Sequence, residues 1–596
     1  MAEAGLNSVA VLDTRNPEKP LLLGRIPTGW YPTALELSAD GKMLYILNAK
    51  GVGEDIGPAG TTAPPSKVST RAGGLSNIDS NYIFGSAQKV DLTATAFDTR
   101  AVLANNFAVA PKVDDRVVPA GGLQGSRKIT HVFFILHENK TFDSMLGNQS
   151  QLGPFASLTY RDASGAPFTD AQYTIVSKNL QLLASKFAVG VNYYSDAEES
   201  DAGHQFSASG TASDFSEKTL EVKGGRGLLV NKNMDPEDYP ESGYIFNNAA
   251  RHGVSFKDYG ALIRILGTDT GGSVPTTLND PPSGKAGYPV LPLATPLVNK
   301  GDVDSPVLGL GQSYFLATPI LAVLGGNNAN GEPRLDRNYP GYNFNISDQR
   351  RAQEFCLDFD RMVAKGTLPK FFYIYQPNDH TGSIVAKNVT DRTAPMQVAD
   401  GDVALGMVVD HIMRSPVYYN PATGEGSAIF VTFDDAQSML DHIHPHRTPL
   451  LVVSPYAKPG PATRHYSTAS IVKTEELLLG LPPNNLGDLF ATDLRDMFQP
   501  VYNGVTADML PFTRSYSYAA SEEGLKIWDL VERLDTSGPD RDSRRLGTLA
   551  RLSMLADVLH AEAVRQNALQ DKDYLEQQAQ LYEMAVAVAG ATSSVT

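Results

Sequence analysis

The sequence predicts an α/β sandwich built on a mostly parallel central sheet. Three observations carry that expectation. Short β-rich apolar runs recur between helical stretches, the order that builds parallel sheets. The two strongest runs, 129–136 (ITHVFFIL) and 428–433 (AIFVTF), are strongly apolar with no strict alternation, as in strands buried on both faces. Each then ends on polar residues: His137-Glu138-Asn139 after the first, Asp434-Asp435 after the second. In an open α/β sheet the carboxyl ends of the strands face the functional crevice.

The elements follow in order. Residues 7–14 (NSVAVLDT) alternate like a strand, and 29–51 hold two strand-like runs joined at Ala39-Asp40-Gly41, a hairpin signal. A stretch rich in Gly, Pro, Ser and Thr occupies 52–125. Within it 57–65 (GPAGTTAPP) reads as a loop and 96–106 as one further strand or helical turn. Candidate strands 129–136, 254–259, 371–375, 428–433 and 450–454 then alternate with helical stretches such as 349–364 and 403–414. The long segment 264–345, rich in Gly, Pro and Asn, reads as an insertion or lid near the site. From 521 to 589 charged residues interleave with Leu and Ala, and a solvated helical appendage is expected, with a cap or an oligomer contact as the alternative. The expected division is 1–51, 52–125, 126–515 and 516–596.

A chain of 596 residues suggests two to four units. Its net charge of −16 and pI near 5.2 argue against nucleic acid or anionic lipid as a nonspecific partner. No run approaches the roughly 18–20 apolar residues of a membrane span. The first residues, MAEAGLNSVAVLDT, show neither a basic n-region nor an apolar h-region, so no signal peptide is expected in this chain. The single Cys356 excludes an intramolecular disulfide.

Five segments carry residues suited to chemistry. Glu138 and Asn139 in ENKTFD (138–143) offer hard oxygen ligands for a divalent cation, while Asn139 or Thr141 could equally cap a helix. Asp379-His380 pairs an oxygen with a nitrogen ligand after the 371–375 strand. Asp434 and Asp435 repel each other unless a cation neutralises them, although an exposed turn would tolerate them. In Asp441-His442-Ile443-His444-Pro445-His446-Arg447 the histidines alternate along an extended segment, which suits metal ligation. Arg447 there could grip a phosphate oxygen. Finally, 194–206 holds Ser195 and Ser200, with Ser207 just beyond, as hydroxyls that a cation could activate. Spacing alone does not choose among them, and a plain acidic loop fits as well.

Together these motifs resemble one family. ENKTFD (138–143) is similar to the E-N-[RK]-[ST]-[FY]-D opening of the phosphoesterase family that contains bacterial phospholipase C and acid phosphatases, within the alkaline phosphatase superfamily. DAEESDAGHQF (196–206), PNDHTG (377–382), FDDAQ (433–437), DHIHPHRTP (441–449), VVSPYAKPG (452–460) and 465–483 continue the match in order. Residues 7–51 resemble one blade of a YncE/YVTN-type β-propeller, a fusion found in closer relatives, so the chain is expected to begin inside a propeller. Lys140 stands for the commoner Arg, Thr432 for a frequent Glu, and Ser438-Met439-Leu440 for a Gly/Pro turn.

The resemblance implies an alkaline-phosphatase-like sandwich and a metal-dependent phosphoric ester hydrolase. Its substrate would be a small phosphate ester or a phospholipid headgroup. It implies Glu138, Asn139, Asp434 and Asp435 as metal ligands, with Asp379, His380 and His442 or His446 forming a second metal or substrate cluster. Ser200 would be the nucleophile, His204 a proton donor or ligand, and Arg447 a phosphate contact. The cation would be Zn, Mn, Ca or Fe. Family members are usually exported, so a periplasmic or secreted location is expected. The alternative is a weakly active or inactive surface binding protein that uses the propeller and helical tail. Sulfatase chemistry would need a C/S-x-P-x-R context, and Cys356 sits in EFCLDF, which does not fit.

Overall fold

The computed structural model describes residues 1–29, 31–49, 86–99, 102, 117–121, 123–157, 159–161, 167–169, 173–197, 199–219, 240–262, 323–336, 338–339, 341–342, 346–382, 393–436, 441–444, 446–516, 518, 520–534 and 543–590. The 57–65 loop, most of 96–106, most of the 264–345 insertion and Ser438-Met439-Leu440 lie outside the described residues.

The centre is one eight-stranded sheet. Its strands are β1 (Ile129–His137), β2 (Ala188–Gly190), β3 (Phe256–Tyr259), β4 (Phe371–Gln376), β5 (Glu425–Phe433), β6 (Leu450–Val453) and β7 (Gly460–Ala462), in the order β3-β4-β1-β5-β6-β2-β7, with Tyr419–Asn420 added on β5. β3, β4, β1 and β5 run parallel, side by side. β6 runs antiparallel between β5 and β2, and β2 pairs with β7 in parallel. The expectation of a mostly parallel sheet therefore holds. His137 at the end of β1 pairs with Gln376 of β4 on one side and Phe433 of β5 on the other. That register brings three strand ends, and the loops after them, to one place.

Residues Val132 to Leu136 of β1 are buried, and so is every residue of β4, which is why these runs carry no polar alternation. The rings of Phe133 and Phe372 stack at 4.6 Å. Helix α3 (Asp348–Lys365) is capped by Ser347, whose hydroxyl accepts from Arg350 N, and ends at Gly366 in the left-handed region. It packs on α4 (Ala394–Arg414). α4 begins well before the expected 403 because Pro395 occupies its first turn and Gly401 and Gly406 dilute its helical pattern. Among the shorter helices are α1 (Phe142–Leu146), α2 (Ser200–Ser209) and α5 (Thr468–Leu479).

The N-terminal residues form two three-stranded antiparallel sheets, Ala2–Glu3, Ser8–Asp13 and Leu21–Pro27, then Pro32–Leu37, Met43–Asn48 and Ser86–Asp91. The hairpin expected at 39–41 is present, with Gly41 at φ 68°. These sheets share a small core of Val9, Ile26, Leu44, Ile46 and Val90.

The C-terminal tail departs from the solvated appendage expected of it. Helices α6 (Glu522–Trp528), α7 (Ser543–Gln566) and α8 (Lys572–Gly590) pack together. Leu546, Leu549, Leu552 and Met554 of α7 belong to the same apolar core as the sheet. The charged residues of α7 mask an inner stripe of Leu and Met that closes on that core. Among the described residues no helix is long and apolar enough to cross a membrane.

Candidate active site

Six of the expected site residues meet at the ends of β1 and β5. Glu138 and Asn139 follow β1, and Asn139 takes a left-handed φ of 47°, which turns the chain sharply at the strand end. Its backbone N–H donates to Asp434 Oδ1 at 3.0 Å, tying the two strand ends together. Ser200 is the first residue of α2, so its hydroxyl sits at the positive end of a ten-residue helix. Asn139 Nδ2 donates to Ser200 Oγ at 2.8 Å and to Asp435 Oδ2 at 3.1 Å. The Ser200 hydroxyl lies 3.0 Å from Asp435 Oδ2 and 3.3 Å from Glu138 Oε2, either of which can accept its proton. His204, one turn along α2, places Nε2 at 3.0 Å from Glu138 Oε1 and 3.9 Å from Asp434 Oδ2. Tyr375 on β4 also donates to Glu138 Oε1. All of these groups are buried.

Three carboxylates buried together need positive charge. Glu138, His204 and Asp434 each offer a ligand atom, all within 4.8 Å of one another, and among the described residues the buried Asp434 Oδ2 has no hydrogen-bond partner. Oxygen donors with one imidazole suit a hard or borderline divalent cation. The residues present therefore fit the cation that the sequence implied. Thr141 shows where the capping alternative went: its hydroxyl accepts from Ser144 N and caps α1, leaving Asn139 to the site.

A second group lies beside the first, on the Pro377–His380 turn after β4. Asp379 Oδ2 is 2.6 Å from His137 Nδ1. His380 Nδ1 donates to the Thr381 carbonyl at 2.9 Å, which leaves Nε2 as the acceptor. Burial pushes the His380 imidazole down to about 4, so it is neutral near pH 7. Lys140 Nζ donates to the Asn139 carbonyl at 3.0 Å and sits over the Tyr173 ring. Burial lowers its ammonium to about 8 against the pull of Asp379, Asp435, Glu138 and Asp434, so it remains mostly charged. His137, Lys140 and Tyr375 were not expected as site residues. His137 and Lys140 flank Glu138 and Asn139 in sequence, and that adjacency was the available signal.

The sequence profile of the Phosphoesterase family matches residues 168–482. The chain belongs to this family. It is a hydrolase acting on ester bonds. The matched span holds Ser200, His204, Asp379, His380, Asp434 and Asp435, while β1, with Glu138 and Asn139, precedes it. Among solved structures, a protein of the alkaline phosphatase superfamily from Vibrio parahaemolyticus is similar at 13% identity, over 63% of this chain and 74% of that one, with a TM-score of 0.34. The phosphonate monoester hydrolase of Agrobacterium radiobacter is similar at 13% identity, over 62% and 77%, with a TM-score of 0.33. Murine ectonucleotide pyrophosphatase/phosphodiesterase 5 is similar at 9% identity, over 62% and 100%, with a TM-score of 0.33. A comparison with curated protein sequences finds no match.

Arg447, His442 and His446 have neighbours other than those expected of them. Arg447 does not face the Ser200 cluster. Its Nε and Nη2 donate to Asp441 and Asp143 at 2.9–3.0 Å, its Nη1 donates to the carbonyls of Phe155 and Val191, and its plane lies over Phe142. All five N–H groups are thus engaged within the fold, which leaves none for a phosphate. His442 does not join Asp379 and His380. Its Nδ1 pairs with Asp143 and its Nε2 with the Pro154 carbonyl. Asp143, Asp441 and His442 form a second acidic group, but the Arg447 guanidinium already bridges its two carboxylates. His446 Nδ1 lies 3.0 Å from the Ser195 carbonyl and its ring lies beside His444.

Proposed function

We propose that this phosphoesterase hydrolyses phosphoric esters through Ser200, with a divalent cation held by Glu138, Asn139, Asp434 and Asp435. The observation that carries the reading is the place of Ser200 Oγ. It lies at a helix N-terminus, within 3.3 Å of Asn139, Asp435 and Glu138 at once. When bound, the cation would lower the pKa of the hydroxyl and neutralise charge on the phosphoryl oxygens. Asp435 or Glu138 accepts the Ser200 proton as Oγ attacks phosphorus in line and the bond to the leaving alcohol breaks. The N-terminal N–H groups of α2 face the phosphoryl group, and Lys140 adds positive charge to the pocket. His204 gives a proton to the departing alkoxide or serves as a further ligand. A water then splits the phosphoserine, and phosphate leaves. Asp379 and His380 line the substrate side of the pocket. A phosphate ester, either a small molecule or a phospholipid headgroup, fits this chemistry.

The test uses p-nitrophenyl phosphate and its bis-ester, before and after chelation and with metal restored. We expect restorable turnover that falls at least on the order of 10³-fold in Ser200→Ala and in Asp434→Ala. Undiminished turnover in Ser200→Ala would remove the nucleophile assignment. No turnover with any divalent cation would favour a binding protein.

A further inference from the structure

Helix α4 passes behind the turn that carries Asp379, and Gly401 faces the Asp379 side chain. A Cβ on Gly401 would lie 2.6 Å and 2.7 Å from the two carboxylate oxygens of Asp379 and 2.8 Å from its Cγ. The backbone at 401 is ordinary helix, without a positive φ, so conformation does not require glycine there. Helix propensity disfavours it mid-helix. What requires it is the carboxylate. Asp379 is buried and its neighbours oppose a retreat. Oδ2 makes the 2.6 Å hydrogen bond to His137 Nδ1, which a retreat would break, and among the described residues Oδ1 has no hydrogen-bond partner.

The turn is braced from the same side. Asp348 Oδ2 accepts from Asn378 N at 2.9 Å, and Asp400 Oδ2 accepts from Asn378 Nδ2 and from Asp348 N, both at 2.7 Å. Arg351 donates to Asp348 Oδ1 at 3.0 Å. With the turn backbone fixed, a methyl group at 401 can be accommodated only by rotating the Asp379 carboxylate off His137. His137 is the last residue of β1 and immediately precedes Glu138 and Asn139.

We propose that Gly401 is a positioning residue: its missing Cβ is the seat of the Asp379 carboxylate, which through His137 holds the strand end that carries Glu138 and Asn139. The link from Asp379 to the reaction rests on the function proposed above. The contact between Gly401 and Asp379 does not.

The experiment compares the full chain with Gly401→Ala, Asp379→Ala and the double variant. Three readouts are followed: thermal melting in chelator, Mn²⁺ affinity by calorimetry, and the downfield imidazole N–H proton of His137, assigned by its loss in His137→Gln. Gly401→Ala should lose the His137 proton signal and weaken Mn²⁺ binding about 10–100-fold, the range for outer partners of a metal site. In the Asp379→Ala background the same substitution should change neither melting nor Mn²⁺ affinity, because the atoms it would strike are gone. If Gly401→Ala fails to fold, the double variant must fold. Equal effects of Gly401→Ala in both backgrounds, a wild-type His137 signal in Gly401→Ala, or a double variant that also fails to fold would overturn the proposal. Should the chain prove inactive in every assay, melting and the His137 proton still decide the Gly401 contact separately from the proposed function.

Discussion

Every N–H of Arg447 ends on an acceptor inside the fold, and this gives the residue a testable structural role. Arg447→Met would leave Asp143 and Asp441 buried against each other without their cation, a loss of roughly 3–5 kcal/mol. The denaturation midpoint should fall accordingly, while KM for p-nitrophenyl phosphate stays near the wild-type value. A raised KM at unchanged stability would restore the phosphate-contact role. The contrast with Asp434 and Asp435 explains which residues were legible. Those aspartates directly follow a buried strand, so the sheet itself determines where they point. Residues 441–444 and 446–447 lie several positions beyond the strand, so its direction does not set theirs. Nearness in sequence to two metal-competent carboxylates did not carry His442 or Arg447 to the same place.

Helix α2 shows how an element, rather than a side chain, sets the site. A Cβ on Gly203 would lie 2.6 Å from the Asp434 carbonyl oxygen and 2.9 Å from its carbon. The helix can therefore press its first turn against the β5 end only with glycine at this position. Gly203→Ala should shift Ser200 and His204 together and lower kcat by about 10²-fold, as small misplacements do, with the melting temperature in chelator little changed. Unchanged kcat would show that the helix accommodates the methyl group. Helix α5 makes a different prediction. Glu475 is fully buried there, neither carboxylate oxygen has a hydrogen-bond partner among the described residues, and burial pushes its pKa well above 4.5. The folded state keeps this proton where the unfolded chain releases it, so the contribution of Glu475 is fully present below pH 4.5 and fades as pH rises toward the folded value. Glu475→Gln should raise the melting temperature at about pH 8 and leave it nearly unchanged at about pH 4. Equal shifts at both values would mean that Glu475 stays in one protonation state. At this scale the apolar runs marked the strands, but the antiparallel course of β6 was not legible, because a strand buried on both faces reads the same in either direction.

For the whole molecule, the acidic balance and the carboxylates gathered at the strand ends couple stability to cations. A divalent ion that binds only the folded state adds about 2.7 kcal/mol at a concentration a hundred times its Kd. Chelation should therefore lower the melting temperature of the wild-type chain and added Mn²⁺ or Zn²⁺ should raise it, whereas Asp434→Ala should respond weakly to either. A melting temperature indifferent to every divalent cation would argue against a cation at the Glu138–Asp434 cluster.

The order of amino acids alone set the central α/β class, the main strand positions and the convergence of Glu138, Asn139, Asp434 and Asp435. Those follow from local facts: apolar runs bury themselves as strands, and parallel strands deliver their following residues to one edge. It also carried the family, through motifs spread in order along the chain. Three-dimensional packing paired His137 with Asp379, set Lys140 against the Asn139 carbonyl and the Tyr173 ring, placed Arg447 between Asp143 and Asp441, and brought helix α7 onto the core. Each of these depends on contacts between residues far apart in sequence, or on which way a loop turns once it leaves the sheet. Such choices are made by packing and by the pairing of buried charge, which no stretch of the chain records alone.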